Sequence, residues 1–352
     1  MKGHFTHATS FLSYYLSPSN KLNSMHVPDI LEKVGNTPLI SIKLDEFSKL
    51  NLFVKLEAYN PTGSVKDRAA SYILKTLLAS GTIDKNTTII ESTSGNFGVA
   101  LSAYCRYYGL KFIAVIDPNV TTMNEMLIRS HGAEIIKVIQ PDKFGGYLLT
   151  RIQKVHELRR NIQNSYWVNQ YENPLNADAY YHSLGKEICF QIDHIDYAFL
   201  GVSSGGTITG VSKKIKENFR HVKVVAVDVE GSVIFNGPSA KRHIPGIGSS
   251  MVPKILEEAK IDEVVWVDET ATINACYELL ENHSFFIGGS SGSVFAGIKK
   301  YFSSKQMSKT INVVSVFPDR GERYYDTIYN KEWSKKIIEL KEKEKLKPAG
   351  SV

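Results

Sequence analysis

Asn60-Pro61-Thr62-Gly63-Ser64-Val65-Lys66-Asp67-Arg68 separates a strand-like run, Leu52-Phe53-Val54-Lys55-Leu56-Glu57, from an apolar-periodic segment over residues 69–78. Pro61 and Gly63 mark a turn, and Ser64 stands where a helix N-cap is expected. Lys66 then falls in the first turn of a helix, where the positive end of the peptide dipoles disfavours an ammonium. A lysine so placed loses its proton more easily, and the neutral amine is the form that attacks a carbonyl carbon. The plain alternative is a surface lysine paired with Asp67. Strand, turn and helix make the first unit of an α/β chain.

The alternation continues downstream. Residues 88–90 read as a strand and 97–108 as a helix, 112–116 as a strand and 123–130 as a helix, and 135–139 as a strand before a helix over 147–160. After a Tyr/Asn-rich crossing at 166–181, strands are expected at 197–202, 222–229, 264–267 and 311–317, with helices between them. Continuous apolar strands followed by helices specify mostly parallel sheets covered on both faces. The expected organisation is a large domain (26–60 and 169–330), a small mobile domain (61–168), a disordered extension (1–25) and a charged tail (331–352). Ligands belong where the loops converge.

The 352 residues, 43% hydrophobic and 22% charged, are those of an ordinary soluble globular protein. No apolar run approaches the ~18 residues of a membrane span, and Phe11 to Leu16 is too short and polar for a signal-peptide core. The net charge of +6 sits at the ends. Lys2 and Lys21 stand without an acid in the first 25 residues, and residues 331–352 carry seven Lys against four Glu. That leaves no basic face for nucleic acid, and the tail reads as a solvated or fraying helix. Cys105, Cys189 and Cys276 lie far apart in apolar helical patterns, as small core residues of a reducing compartment. The ten His residues form no ligand pair, so no metal is expected.

Four further segments carry chemistry. Glu91-Ser92-Thr93-Ser94-Gly95-Asn96-Phe97-Gly98 closes one strand and opens a helix, where hydroxyls and backbone N–H groups make an anion site. Plain capping by Ser94 or Asn96 is the alternative. Ser203-Ser204-Gly205-Gly206-Thr207 has the glycines and hydroxyls that cradle a phosphate, although such a turn alone is a weak signal. Gly288-Gly289-Ser290-Ser291-Gly292-Ser293 opens a later helix, with Ser290 either a ligand donor or a turn residue. Arg151 projects from inside the stripe of Leu148, Ile152, Val155 and Leu158, so its guanidinium faces the interior. There it needs a partner, either a buried Asp or Glu or a bidentate phosphate.

Taken in order, with Gly35-Asn36-Thr37-Pro38-Leu39 ahead of them and Pro318-Asp319-Arg320-Gly321-Glu322-Arg323-Tyr324 behind, these segments resemble those of one enzyme family. It is the fold-type II pyridoxal-phosphate (PLP) enzymes, the cysteine synthase and cystathionine β-synthase group with a tryptophan synthase β-like fold. The resemblance covers roughly residues 33–328, and the lysine segment is its most specific part. It implies that Lys66 holds PLP covalently and serves as catalytic base. It further implies that Asn96 meets the ring 3′-oxygen, that Ser203, Ser204, Gly205, Gly206 and Thr207 hold the cofactor phosphate, and that Ser290 meets the pyridine nitrogen. Thr93, Ser94, Gly95 and Gln170 fall to the substrate carboxylate. A hydroxyl partner at the ring nitrogen makes PLP a weaker electron sink and favours elimination and addition at Cβ.

Ser203 departs from the Gly-Thr-Gly-Gly-Thr usual in cysteine synthases. Residues 145–152, 166–171, 226–228, 231–235 and 245–248 resemble a siderophore-pathway branch that joins O-phospho-L-serine to L-glutamate. That likeness implies Arg151, Tyr171 and Ser203 around the substrate phosphate. The expected protein is a cytoplasmic homodimer acting on small molecules, without nucleic-acid or membrane partners. Its rivals are a cysteine synthase using sulfide and a catalytically silent PLP-binding protein. A nucleotide-binding module is disfavoured because the chain lacks the GxGxxG and GxxxxGK[ST] fingerprints.

Overall fold

The computed structural model describes residues 29–142 and 146–346. The expected extension over 1–25, Gly145 and the end of the charged tail lie outside the described residues. The strands are β1 (Leu39–Lys43), β2 (Leu50–Leu56), β3 (Thr88–Ser92), β4 (Lys111–Ile116), β5 (Glu134–Lys137), β6 (Ser165–Trp167), β7 (Tyr197–Gly201), β8 (Lys223–Val229), β9 (Glu263–Val267) and β10 (Ile311–Phe317). The α-helices are α1 (Lys66–Ala79), α2 (Asn96–Tyr108), α3 (Thr122–Ser130), α4 (Leu148–Asn161), α5 (Pro174–Tyr180), α6 (Lys186–Gln191), α7 (Gly206–Asn218), α8 (Glu269–His283), α9 (Gly289–Phe302) and α10 (Lys331–Leu346).

Two sheets result. One has the order β1-β2-β10-β7-β8-β9 and the other β5-β4-β3-β6. Every pairing is parallel except β1 with β2, an antiparallel edge. This is the α/β class expected from the alternation. Neither β1 nor β6 is expected from the local sequence pattern. β6 is a three-residue strand whose existence depends on its pairing with β3.

Helical periodicity explains the layering. On α1 the buried Ala69, Ala70, Ile73, Leu74 and Leu77 recur along one face. They fill the space between the sheets with Ile89, Ala100, Val224 and Val314. Val155 of α4 covers the outer face of the smaller sheet against Ile90, Ile113 and Val115. Val294 and Ile298 of α9 cover the outer face of the larger one with Val227 and Val313. Each such side chain contributes about 1.5–3 kcal/mol on burial.

Two local findings differ from expectation. The helix of the lysine segment begins with Val65 at its N-cap and no side-chain cap. Ser64 only reaches the Lys66 N–H, at 3.3 Å, while Asp67 takes the Thr62 N–H and hydroxyl at 2.9 and 2.7 Å. The carboxylate that would have paired with Lys66 is turned back to brace the turn. The Lys/Glu tail, expected to be solvated, is docked as α10. Ile337 and Ser334 are buried, with Trp333 and Ile338 packed alongside, and the Ser334 hydroxyl bonds the Ile328 carbonyl at 2.5 Å. Apolar residues at helical spacing outweigh the charged composition.

A buried ion network pins α1 to its surroundings. Arg68 bonds Glu57 and Glu187, each at 2.6 Å, and Lys55 bonds Glu187 at 2.9 Å. The three cysteines are free, Cys105 and Cys276 buried and Cys189 half-buried. Among the described residues no helix is long and apolar enough to cross a membrane, and no group of acids, His and Cys could hold a metal.

Candidate active site

Lys66 opens α1, whose first N–H groups are taken up within the turn, while Asn96, Gly206 and Gly289 open α2, α7 and α9, where no N-cap side chain bonds the first turn. Helix starts left this way present backbone N–H groups to an anion. Ser94 and Asn96 therefore do not cap α2, because their side chains are engaged elsewhere.

The contacts form a closed ring. Val65 N–H bonds the Pro318 carbonyl at 2.8 Å, and Ser64 bridges Asp319, so the lysine turn lies on the loop after β10. Asn96 Nδ2 donates to Asp319 Oδ2 at 2.6 Å, and Asn96 Oδ1 accepts from Arg323. Gly288 N–H bonds the Asp319 carbonyl at 3.2 Å, which brings the start of α9 to the same loop. A Cβ at Gly246 would lie 3.2 Å from the Tyr324 hydroxyl and 4.0 Å from Ser290 Oγ. Two residues on, the Gly248 carbonyl accepts the Ser203 hydroxyl at 3.2 Å. Asn176 packs against Gly206 and donates to the Gln170 carbonyl at 2.7 Å, while Gln170 Nε2 reaches the Ser92 carbonyl at 3.4 Å. Ser92 leads back through Thr93, Ser94 and Gly95 to Asn96.

The Lys66 amine is brought down to about 8, first by burial and against the pull of Asp319. Desolvation, and not the helix dipole, is thus the first cause of the lowered value. Glu91 is fully buried at the end of β3, and burial pushes it up to about 8 against the Asn169 backbone, the Gln170 amide and the Arg151 charge. Among the described residues neither of its oxygens finds a well-formed hydrogen bond.

On the opposite side Arg151 Nε stands 3.1 Å from Asp117 Oδ2, and Nη1 donates to Ser94 Oγ at 3.0 Å. The Ser94 hydroxyl donates to Asp117 Oδ2 at 2.9 Å and accepts from the Asp117 N–H at 3.2 Å. The acid partner, one of the two open options for Arg151, is thus present. Tyr171 lies in the fields of Arg151, Glu91, Arg242 and Asp117, and burial raises its hydroxyl.

Asp117, Asp319 and Asn176 were not picked out as site residues from the sequence. Asp117 directly follows β4, at the carboxyl end of a parallel strand where ligands gather, and that position was a usable signal. Asp319 lies within the Pro318–Tyr324 segment, where no local pattern marks its role. Asn176 carried no local sign, since its place is set by α5 packing on α7.

The donors fit PLP. A desolvated amine stands at one end, and at the start of α7 Gly205 is left-handed at φ +87° with no side chain capping the helix. A Cβ at Gly206 would strike Asn176 Oδ1 at 2.3 Å, so only glycine allows this close approach. An amide and a hydroxyl, Asn96 and Ser290, stand on the remaining sides.

The sequence matches the family described as pyridoxal-phosphate dependent enzymes over residues 30–319. Among solved structures the chain is similar to an O-acetylserine dependent cystathionine β-synthase from Helicobacter pylori, at 30% identity and a TM-score of 0.80, over 86% of this chain and 99% of that one. It is also similar to a hydrogen sulfide-producing enzyme from Fusobacterium nucleatum, at 28% identity and 0.79, over 85% and 100%. An O-ureido-L-serine synthase aligns at 27% identity and 0.79, over 87% and 96%. With this site on this fold, the chain belongs to the pyridoxal-phosphate dependent enzymes, in the fold-type II group of cysteine synthases and cystathionine β-synthases, and PLP is its cofactor.

Proposed function

We propose that this enzyme carries out β-replacement on O-phospho-L-serine with L-glutamate, as N-(2-amino-2-carboxyethyl)-L-glutamate synthase does in making a 2,3-diaminopropionate precursor for siderophores. The observation that carries the reading is the half-buried guanidinium of Arg151 beside Ser94, with Tyr171 in its field. A phosphate can draw such a fork away from Asp117 by offering two parallel acceptors.

When bound, PLP withdraws electrons from the substrate's Cα, so that the Cα proton and a Cβ substituent can leave. In the proposal Lys66 anchors the cofactor and Asn96, Ser290 and residues 203–207 hold it. Lys66 Nζ, with a pKa near 8, is suited to take the Cα proton and give it back. Thr93, Ser94, Gly95 and Gln170 orient the substrate carboxylate at the α2 start. Arg151, Tyr171 and Ser203 receive the departing phosphate, and the amine of glutamate then bonds to Cβ. A homodimer in the cytoplasm, with a small domain of residues 61–168 that moves over the site, completes the proposal.

A second reading is favoured by the Arg151–Asp117 pair itself. A guanidinium already neutralised leaves room for an uncharged acetyl ester, with sulfide or a thiol as nucleophile. Incubating the enzyme with phosphoserine or O-acetylserine, plus glutamate or sulfide, and weighing the products decides between them. The first reading requires a glutamate adduct and phosphate release, and sulfur-containing product alone sinks it. Lys66→Ala must abolish the visible lysine–cofactor band and turnover. Retention of both ends the anchor assignment.

A further inference from the structure

Asp319 is 1% exposed, and its two oxygens are treated differently. Oδ2 accepts from Asn96 Nδ2 at 2.6 Å and from the Tyr324 hydroxyl at 2.9 Å. Oδ1 has no hydrogen-bond partner among the described residues. A buried oxygen left so is unfavourable by about 1–3 kcal/mol, more when charged, and such groups persist where a site uses them.

The backbone leaves this carboxyl little freedom. Ser64 bridges Asp319, and Gly288 bonds its carbonyl at 3.2 Å. Gly288 must lack a side chain here, since a Cβ would lie 1.9 Å from Asp319 Oδ1.

Two groups feel the result. Asn96 is held at both ends, with Nδ2 on Asp319 and Oδ1 on Arg323. Arg323 also donates to the Thr62 carbonyl, in the turn that leads to Lys66. An amide with an acid at one end and a guanidinium at the other has one orientation, so its second N–H hydrogen has a fixed direction. The other group is Lys66. The Val65 N–H bonds the Pro318 carbonyl at 2.8 Å and Ser64 bridges Asp319, so the residue that opens α1 lies against the loop that carries this carboxyl. Asp319 is its opposing charge. Facing Asp319 are Arg323, Asn96 and Tyr324 and the Lys66 amine, while Cys276 of α8 and Tyr329 lie in its field. Burial pushes the Asp319 carboxyl up, and Arg323, Asn96 and Tyr324 hold it back.

We propose that Asp319 is a positioning residue that locks the Asn96 amide in one orientation and sets an anionic counter-charge beside the Lys66 amine. The proton that Lys66 accepts during turnover is then kept within the site. This rests on Lys66 as the cofactor anchor.

The test is the rate at which the full chain, stripped of cofactor, regains its visible band with added PLP as pH is varied. Only the neutral amine reacts, so the midpoint of that profile reports Lys66. In Asp319→Asn the midpoint falls by about one pH unit, because a cation has lost its anionic neighbour. Asp319→Ser, which removes the charge with a smaller neutral side chain, carries the same expectation if the first variant does not fold. Thermal unfolding of each variant is followed alongside, since a merely structural role would lower the melting temperature without moving the midpoint. A wild-type midpoint in a folded variant overturns the proposal. Failure of Lys66→Ala to abolish the band instead overturns the anchor assignment, so the two failures are told apart.

Discussion

Arg151 Nε stands 3.1 Å from Asp117 Oδ2, so the guanidinium at the head of α4 is neutralised from within the chain. An ion pair of this kind is useful to a substrate only if the substrate competes for the cation. Arg151→Ala is expected to lower kcat/KM for O-phosphoserine roughly 10- to 150-fold, the worth of a charge-assisted hydrogen bond of about 1.5–3 kcal/mol. The value for O-acetylserine should change far less. Equal losses with both substrates, measured by steady-state kinetics, would remove Arg151 from phosphate recognition.

Lys66 is held at about 8 in the folded chain against an ordinary 10.5. Between these values the unfolded chain binds more protons, so stability of the cofactor-free protein rises with pH across that window. Below pH 8 an ammonium on this half-buried side chain is a standing penalty. Lys66→Met should therefore be more stable than wild type at pH 7, by roughly 2–3 kcal/mol. The difference should shrink as pH approaches 10.5. Chemical denaturation of both proteins at pH 7 and pH 10 checks this, and a less stable Lys66→Met at pH 7 refutes it.

Glu91 shows the opposite linkage. Its carboxyl lies near 8 in the fold and near the ordinary 4.5 in the unfolded chain, so the native state binds more protons between those values. Stability on its account is greatest at low pH and falls as pH rises toward 8. Glu91→Gln cannot ionise. Its advantage over wild type should be small at pH 5 and reach a few kcal/mol at pH 8 and above. A melting-temperature difference that does not grow with pH would mean that Glu91 is charged throughout.

The network around Arg68 is the structural counterpart of the site, since it fixes the helix that carries Lys66. Arg68→Ala would leave the fully buried Glu57 with only the neutral donors Thr37 and Asn60, and Glu187 with Lys55 and the Asn36 N–H. Removing one partner of a buried pair typically costs about 3–5 kcal/mol. Urea unfolding should show a loss of that order. An effect below about 1 kcal/mol, the scale of an exposed pair, would show that water reaches the network.

The strands and helices from β3 to α4 were legible because their signals are local. Ile89, Ile90 and Phe112 to Ile116 form uninterrupted apolar runs, and α1 repeats its buried positions every three to four residues. The helix end at Gly109, left-handed at φ +69°, is equally local. β6 was missed because three residues become a strand only through a neighbour. The docking of α10 was missed because composition says nothing about a distant hydrophobic face.

By itself the sequence determined the alternating α/β order, the glycines that permit tight turns, and the presence of an amine, an amide and hydroxyls at successive helix starts. These depend on neighbours within a few positions, where covalent geometry and periodicity leave few options. Tertiary structure alone decided that Lys66 is desolvated, that Asp67 braces the turn, and that Arg151 meets Asp117. It also brought Asp319 to Asn96, 223 positions away along the chain. Charges interact through space, and their partners are set by how the two sheets and the helices between them pack.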